Sequence, residues 1–353
     1  MDKRVVFAVA GSGKTMRLVN ELDLKTRVLL ITYTDNNCTE IRLRVIAKFG
    51  HLPENITVST YFTFLNSFCY RPLLLAELRT TGISFDRPSD YSNVQKVTSR
   101  ARYVTAGGRI YHARMAKALD ARGCVTDLQR RIERYYDKIC VDEVQDFGGH
   151  DFNLLKQVVK ADVEVLLVGD FYQHTYSTSA DGNVNRGLHD SYERFKDGLR
   201  HAGLTVDTTS LVKSHRCSTN VCSFIRDHIG VDIHPAIERA SNVCIIEDRA
   251  TAEQMHARAD TVKLFFKEHY LYSCHSQTWG SSKGQDHYQD VCVVLNATSW
   301  KQYGDRDLAG LAALSRNKLY VACSRARGDL YLMPESLLKA LKSKPVARHT
   351  TPA

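Results

Sequence analysis

Residues 8–15 combine small side chains with a lysine and a threonine in an order that suits a phosphate-binding loop. The segment follows an apolar run at 5–9 and precedes a helix-like stretch. Small residues let the backbone close around a pyrophosphate, and amides at a helix start attract its charge. The lysine would reach the β- and γ-phosphates, and the threonine would bind Mg²⁺. We therefore predict a site for ATP and Mg²⁺ that contains Ala10, Gly11, Ser12, Gly13, Lys14 and Thr15.

Two adjacent carboxylates, Asp142 and Glu143, follow the apolar run at 139–141. At the end of a buried strand, Asp142 can hold Mg²⁺ through water, and Glu143 can orient and deprotonate an attacking water. A solvated acidic turn is the alternative, and the phosphate loop in the same chain makes it the weaker one. Gln145 is a further candidate for nucleotide binding.

A third polar segment follows the apolar run at 164–168. That run ends in Gly169 and Asp170, and Gln173 stands three residues after Asp170. A glutamine there could sense the γ-phosphate and report hydrolysis to the rest of the fold. We therefore predict that Asp170 contacts the nucleotide and that Gln173 is catalytic.

Six short runs rich in β-branched residues predict buried parallel strands, at 5–9, 28–31, 139–141, 164–168, 243–247 and 291–295. Each is followed by polar or glycine-containing residues and then by a helix-like stretch. This alternation predicts an α/β fold. Residues 71–137 interrupt it because they are basic, helical in pattern and without a strong strand, which indicates an insertion.

Positive charge is concentrated in this insertion. The chain carries a net charge of +9, and residues 71–138 contain 14 Lys and Arg against 7 Asp and Glu. Such a surplus suggests a polyanionic partner. A solvated helical surface is an equally weighted alternative when composition alone is considered.

The overall composition is that of a soluble globular protein, with 43% apolar and 25% charged residues. No apolar run approaches the roughly 20 residues that cross a bilayer, and no signal-peptide pattern is present. We therefore expect a cytoplasmic, nucleoid-associated protein that does not contact membranes. The ten cysteines include no Cys-x-x-Cys pair. This favours buried free thiols over a metal site or a disulfide framework.

Segments along the chain resemble, in order, the motifs of UvrD/Rep-like superfamily 1 (SF1A) DNA helicases. Besides the three segments above, they lie at 31–37, 57–62, 211–218, 278–286 and 319–327. The resemblance implies two RecA-like P-loop NTPase domains with parallel sheets, plus a small, mainly helical insertion in the first. The implied domains are residues 1–70 with 138–205 and residues 206–340, with the insertion at 71–137 and a basic tail at 341–353.

The resemblance also implies further roles in the nucleotide site. Arg216 takes the position of an arginine finger, and Arg325 that of a second phosphate-facing arginine. His215 stands where the family stacks a tyrosine on adenine. Asp286, two residues after Gly284, is implied as a ribose or coupling contact, and both are included in the nucleotide site.

Contacts to single-stranded DNA, or to a junction of single strand and duplex, are implied in the same way. A single-strand track needs aromatic faces on which bases stack, together with polar and cationic groups for the backbone. The implied contacts are Tyr33, Thr34, Asn36, Thr60, Tyr61, Tyr176 and Ser281.

The spacing of two motifs limits the size of the second domain. Arg216 and Lys283 are 67 residues apart, so the large insertion that relatives carry between them cannot fit. We therefore predict a compact, ATP-dependent translocase or helicase on single-stranded DNA, with 3′→5′ polarity implied by the resemblance.

Two alternative functions stay open. One is a DNA-sensing regulatory ATPase subunit of a larger complex, for example with a nuclease. The other is a viral-type superfamily 1 RNA helicase. The segments Val-Asp-Glu-Val-Gln-Asp and Ser-Arg-Ala favour the DNA family over the viral one.

Overall fold

The computed structural model describes residues 1–176 and 181–343. Its strands, in chain order, are β1 (Lys3–Ala8), β2 (Val28–Thr32), β3 (Ile56–Thr60), β4 (Gly82–Ser84), β5 (Arg109–Tyr111), β6 (Lys138–Val141), β7 (Glu164–Gly169), β8 (Thr205–Leu211), β9 (Lys213–Ser214), β10 (His234–Pro235), β11 (Val243–Ile245), β12 (Val262–Phe265), β13 (Ser276–Thr278), β14 (Val291–Leu295) and β15 (Leu330–Pro334). Its α-helices are α1 (Lys14–Asn20), α2 (Asp35–Phe49), α3 (Tyr61–Thr63), α4 (Arg71–Leu78), α5 (Asp90–Val94), α6 (Met115–Ala121), α7 (Val125–Tyr135), α8 (Gly149–Val158), α9 (Tyr192–Arg200), α10 (Thr219–Phe224), α11 (Arg249–Ala257), α12 (Ala297–Gly304) and α13 (Ala313–Cys323).

The chain divides into two compact α/β units. The first consists of Met1–Ala8, Gly13–Phe171 and Tyr176–Leu211. The second consists of Val9–Ser12, Tyr172–Thr175 and the chain from Val212 onward. Each unit has its own sheet of parallel strands, which confirms the predicted α/β class with two RecA-like domains.

The sheet of the first unit has six strands in the order β3-β2-β6-β7-β1-β8, all paired in parallel. Helices α1 and α2 cover one face of it because each turns an apolar stripe inward. α2 begins where the Thr34 hydroxyl accepts a hydrogen bond from the Asn37 amide, and it ends at Gly50, which adopts a left-handed conformation. The residues buried between helices and sheet include Leu18, Val19, Ile41, Val45, Val6, Leu30, Val58 and Val168.

The boundary between the units lies after β8. This strand pairs with β1, with Arg4 opposite Thr205 and Val5 opposite Val206, and therefore completes the first sheet. The second unit accordingly resumes at Val212, six residues after the boundary at 206 that the motifs imply. The apolar pattern does not predict β8, because this strand is polar at Asp207, Thr208, Thr209 and Ser210.

The inserted region is mainly helical, with α4 to α7, as the sequence predicts. It also contains a small parallel pair, β4 with β5, whose three-residue strands are too short to give a sequence signal. A buried arginine ties the region together: Arg114 donates to the carbonyls of Ser92 and Arg102 and to both the Asn93 and Asp181 side chains. Such a guanidinium is tolerated inside a protein because its hydrogen bonds are satisfied.

The second unit is built on a five-stranded parallel sheet in the order β11-β15-β14-β12-β13. Only β11 and β14 correspond to predicted strands. β12 was missed because Lys263 interrupts its apolar pattern, yet this lysine is buried and its ammonium donates to the Arg258 carbonyl. Trp279 is fully buried beside this sheet, and its indole nitrogen donates to the Leu264 carbonyl at 2.9 Å.

Three further predictions concern the chain as a whole. Among the described residues, no helix is both long enough and apolar enough to span a membrane. All ten cysteines lie in the described ranges and are free thiols, eight of them buried, as predicted. The predicted basic tail at 341–353 falls outside the described residues from position 344 onward.

Candidate nucleotide and nucleic-acid site

The phosphate loop leaves β1 in a conformation that requires glycine at two positions. Gly11 and Gly13 have φ values of 73° and 82°, which side chains rarely adopt. Residues 9–12 belong to the second unit, and there the Gly11 carbonyl accepts from the His215 amide at 2.9 Å. A β-carbon on Gly11 would approach the β-carbon of Arg216 to 2.6 Å, so no larger residue fits.

Inside the first unit, the loop and the end of β6 bring four predicted residues together. The Lys14 ammonium lies 2.9 Å from a Glu143 carboxylate oxygen. The Thr15 hydroxyl donates to Asp142 at 3.0 Å. The parallel sheet explains this geometry, because β1 and β6 both end at its carboxyl edge. The lysine, the hydroxyl and the two carboxylates are the groups that phosphate transfer from ATP requires.

Burial makes the acidic pair unusual. Asp142 is fully buried, and desolvation, with the neighbouring Glu143 charge, raises the pKa of its carboxyl. Lys14 and the Thr15 hydroxyl act in the opposite direction and favour the charged form. A buried carboxylate that lacks full charge compensation is a suitable ligand for a cation.

These residues fit Mg²⁺. Among the described residues, no group of three or more His, Cys, Asp or Glu side chains could hold a metal ion. Magnesium does not need such a cage, since it commonly takes one or two protein oxygens and completes its octahedron with water and phosphate oxygens. Thr15 and Asp142 supply two adjacent oxygens of this kind.

Gln145 holds the acidic segment in position. Its amide group donates to the Glu143 carboxylate, and its carbonyl oxygen accepts from the Asp170 amide at 3.1 Å. It thereby links the ends of β6 and β7. Glu143 itself has a left-handed backbone, with φ of 59°, a conformation that costs energy in a residue with a side chain. A β-carbon on Gly169 would come within 2.3 Å of the Gln145 carbonyl oxygen, which explains the glycine.

Other predicted nucleotide residues lie in the second unit. Arg216 and Arg325 both contact one carboxylate oxygen of Asp286, at 2.6 and 3.0 Å. Arg325 is only 2% exposed, and burial together with the Arg216 charge lowers its pKa to about 10. Asp286 therefore holds the two guanidiniums close together despite their repulsion. His215 and Gly284 are exposed nearby in sequence.

Gln173 is placed away from solvent. It is buried in the segment Tyr172–Thr175, which belongs to the second unit. In that unit the Asn317 amide donates to the His174 carbonyl at 3.1 Å. Asn317 carried no sequence signal, because its partner is more than a hundred residues away along the chain.

The predicted strand contacts divide into exposed and buried residues. Tyr33 is half-buried and stacks on Tyr61, with ring centroids 6.0 Å apart, because β2 and β3 are paired directly before them. Tyr61 is 6% exposed and packs against Phe147, and its hydroxyl donates to Asp151 at 2.9 Å. The structure therefore gives Tyr61 no open face for a base. The Asp151 contact had no sequence signal, since it joins positions 90 residues apart.

The remaining strand candidates are polar groups or partly exposed rings. Thr34 and Thr60 use their hydroxyls to accept the Asn37 and Thr63 amides at helix starts. Asn36 is exposed. Tyr176 is half-exposed, and its hydroxyl lies 3.4 Å from Asp146. Ser281 is exposed in the second unit, where its hydroxyl bonds with that of Thr278.

Comparison with known families decides the broader identity. An AAA-domain family matches residues 2–179. The viral superfamily 1 RNA helicase core domain matches residues 94–334, well over half of the chain. The chain belongs to this family. The motifs thus indicated the correct superfamily. The family that is shown within it is the viral superfamily 1 helicase core domain, and membership of the UvrD/Rep-like family is not shown.

Solved structures with the same architecture include viral helicases. The structure of arterivirus nonstructural protein 10 (helicase) in complex with DNA aligns with a TM-score of 0.50 and 18% identity, over 96% of this chain and 62% of that one. A crystal structure of arterivirus nonstructural protein 10 (helicase) gives a TM-score of 0.47 and 17% identity, over the same shares of the two chains. The structure of the PRRSV helicase gives a TM-score of 0.45 and 15% identity, over 97% of this chain and 55% of that one. This chain thus spans less than two thirds of the length of each of these proteins. No curated protein sequence matches it.

Proposed function

We propose that this chain is a motor that hydrolyses ATP to move along single-stranded nucleic acid, with RNA as its principal substrate. The observation that carries the proposal is the cluster of Lys14, Thr15, Asp142 and Glu143 at one edge of the first sheet. The viral superfamily 1 match supports the choice of RNA.

The proposed chemistry divides the cluster into binding and activating groups. Lys14 binds the β- and γ-phosphates and in doing so releases Glu143. Glu143, freed of its ion pair, orients the attacking water and accepts its proton. Thr15 and Asp142 would hold Mg²⁺, which neutralises charge on the phosphate oxygens. Gln145 keeps Glu143 aimed through its side-chain hydrogen bond.

The arginines of the second unit complete the proposal. Arg216 and Arg325 stabilise the charge that develops on the transferred phosphoryl group, a contribution of about 10³–10⁵ in rate in P-loop enzymes. Asp286 keeps both guanidiniums together when no phosphate engages them. Gln173 is proposed to sense the γ-phosphate. His215, Gly284 and Asp286 are proposed to contact the nucleoside. Ala10, Ser12 and Asp170 are proposed to contact the nucleotide through backbone or side-chain groups.

A DNA translocase of the UvrD/Rep-like kind is the second candidate. Its support is the motif resemblance, above all the Val-Asp-Glu-Val-Gln-Asp segment that starts at Val141. The experiment that separates the two is ATP hydrolysis by the purified chain with oligouridine or with oligothymidine of equal length. We expect stronger stimulation by RNA, and loss of turnover in Lys14→Ala and Glu143→Gln. Stronger stimulation by DNA would reverse the choice, and indifference to both would refute a motor on nucleic acid.

Movement requires a further test. Duplexes with either a 3′ or a 5′ single-stranded tail distinguish the directions, and the UvrD/Rep-like resemblance implies 3′→5′ polarity. A chain that hydrolyses ATP on a single strand but separates neither duplex would support the regulatory alternative, in which a partner such as a nuclease uses the ATPase. Unwinding by the isolated chain would exclude that alternative.

A further inference from the structure

Three aromatic rings from separate parts of the first unit meet at its surface. Phe62 lies 5.7 Å from Phe85 and 5.2 Å from His112 between ring centroids, and Phe85 lies 5.2 Å from His112. Phe85 is 71% exposed, although a phenylalanine normally gains by burial. We call these three residues the aromatic platform.

The backbone explains why the rings meet. β4 and β5 pair in parallel with Ser84 opposite Tyr111, so the next residues, Phe85 and His112, leave the small sheet side by side. Phe62 comes from α3, directly after β3. The platform therefore joins the inserted region to the carboxyl edge of the main sheet, where Phe62 directly follows Tyr61 in the chain.

We propose that the aromatic platform is a base-stacking site for single-stranded nucleic acid. The proposal rests on the proposed function, since it assumes that a single strand binds this unit. It extends the predicted contacts into the insertion, to which Phe85 and His112 belong, whereas Phe62 is the last residue of the motif segment 57–62.

Charge and ring chemistry favour a nucleic-acid strand as the occupant. Residues 71–138 contain 14 Lys and Arg against 7 Asp and Glu, and Arg87 and Arg109 are exposed within three residues of the platform rings along the chain. The nearest carboxylate in sequence, Asp86, accepts a hydrogen bond from the Ser84 hydroxyl. Burial lowers the pKa of His112, so its ring is neutral at physiological pH and offers a flat face like the two phenylalanines. Bases of any sequence stack on such faces.

Substitutions at Phe85 separate stacking from simple apolar contact. Phe85→Trp keeps an aromatic face, Phe85→Leu keeps apolar area without one, and Phe85→Ala removes both. Each variant is tested for binding of a fluorescent oligouridine and oligothymidine of about 12 nucleotides, within the range of single-strand site sizes. A second probe carries one 2-aminopurine, whose fluorescence falls when it stacks. Tyr270→Ala is the matched control, because Tyr270 is an aromatic residue that is 68% exposed in the second unit.

We expect Phe85→Ala and Phe85→Leu to weaken binding by between about 5-fold and 150-fold, the range for one stacked base, and to abolish the 2-aminopurine quench. Phe85→Trp should retain both signals, and Tyr270→Ala should change neither. Unchanged melting temperatures show that the variants fold.

Each of the following outcomes would overturn the proposal that the aromatic platform stacks bases. If all variants bind the oligonucleotides equally, Phe85 does not contact the strand. If Phe85→Leu retains the wild-type affinity, the contact is apolar and involves no stacking. If Phe85→Ala instead dissociates a dimer seen by sedimentation and leaves strand affinity unchanged, the platform covers a second copy. If the wild-type chain binds neither oligonucleotide, the proposed function is refuted as well. This result distinguishes failure of the proposed function from failure of the platform proposal alone.

Discussion

The Lys14 ammonium lies 2.9 Å from the Glu143 carboxylate, so the lysine of the phosphate loop is paired with the residue proposed to activate water. A phosphate bound by Lys14 competes with this ion pair. In the proposed mechanism, nucleotide binding and the release of Glu143 are therefore coupled through Lys14. The neighbouring Asp142, which is proposed to hold Mg²⁺, is buried and accepts a hydrogen bond from the Thr15 hydroxyl.

Glu143→Gln should separate binding from hydrolysis. The amide cannot accept a proton, so we expect kcat for ATP to fall by about 10²–10⁴, the usual contribution of a general base. Lys14 loses its competing carboxylate, so nucleotide affinity should be unchanged or higher. Steady-state hydrolysis and equilibrium binding of a fluorescent ATP analogue measure the two effects.

Glu164→Gln is the matched control for this variant, since Glu164 is exposed at the opposite end of β7. It should leave hydrolysis and affinity unchanged. Weaker nucleotide binding by Glu143→Gln would show that Glu143 supports the site in its ground state, which contradicts the competition between carboxylate and phosphate.

The paired arginines give a second prediction. Arg216→Ala and Arg325→Ala should each reduce kcat by about 10³–10⁵ with little change in nucleotide affinity, if they act on charge that develops during transfer. Arg327→Ala serves as the control, because Arg327 is exposed two residues after Arg325. An equal loss of affinity and kcat/KM, with kcat unchanged, would assign the arginines to ground-state binding.

Much of the fold could be predicted because its central strands are continuous apolar runs between polar segments. All six predicted strands are present. Strands whose patterns are broken were missed: β3 alternates apolar and hydroxyl residues, and β12 contains the buried Lys263. The ammonium of that lysine donates a hydrogen bond to the Arg258 carbonyl, which comes into reach only in the folded chain.

The candidate nucleotide site was more predictable than the strand contacts. Lys14, Thr15, Asp142 and Glu143 meet because each follows a strand of one parallel sheet, a relationship that sequence order already implies. The position of Tyr61 depends instead on Phe147 and Asp151, which come from a different part of the chain. No local pattern reports such a contact.

The burial of Tyr61 leads to a third prediction. Tyr61→Phe removes the hydroxyl that donates to the half-buried Asp151 and should lower the free energy of unfolding by about 1.5–3 kcal/mol, the contribution of a hydrogen bond to a charged group. Affinity for a single strand should change less than about 2-fold, since the ring has no open face. Tyr33→Ala should weaken strand binding more than Tyr61→Phe does. Urea unfolding and oligouridine binding test the two residues, and a large affinity loss in Tyr61→Phe would make its hydroxyl a strand contact.

Asp151 should make the stability of the first unit depend on pH. Burial raises the pKa of its carboxyl to about 6, against the hydrogen bond from Tyr61, whereas in the unfolded chain it titrates near 3.8. Between these values the folded state binds more protons, so this group's contribution to stability falls as the pH rises from about 4 to 6. Above pH 6 the folded chain carries the full cost of this partly desolvated charge.

Asp151→Asn removes that cost because the amide is neutral and its oxygen can still accept from Tyr61. At pH 8 the variant should be more stable than the wild type, by at most about 3 kcal/mol because Asp151 retains some contact with solvent. The difference should shrink below pH 6 and vanish near pH 4. Urea unfolding at pH 4.5, 6 and 8 measures it, with Asp127→Asn as a control at an exposed carboxylate of α7. Parallel stability curves for Asp151→Asn and the wild type would show that Asp151 ionises normally in the folded chain.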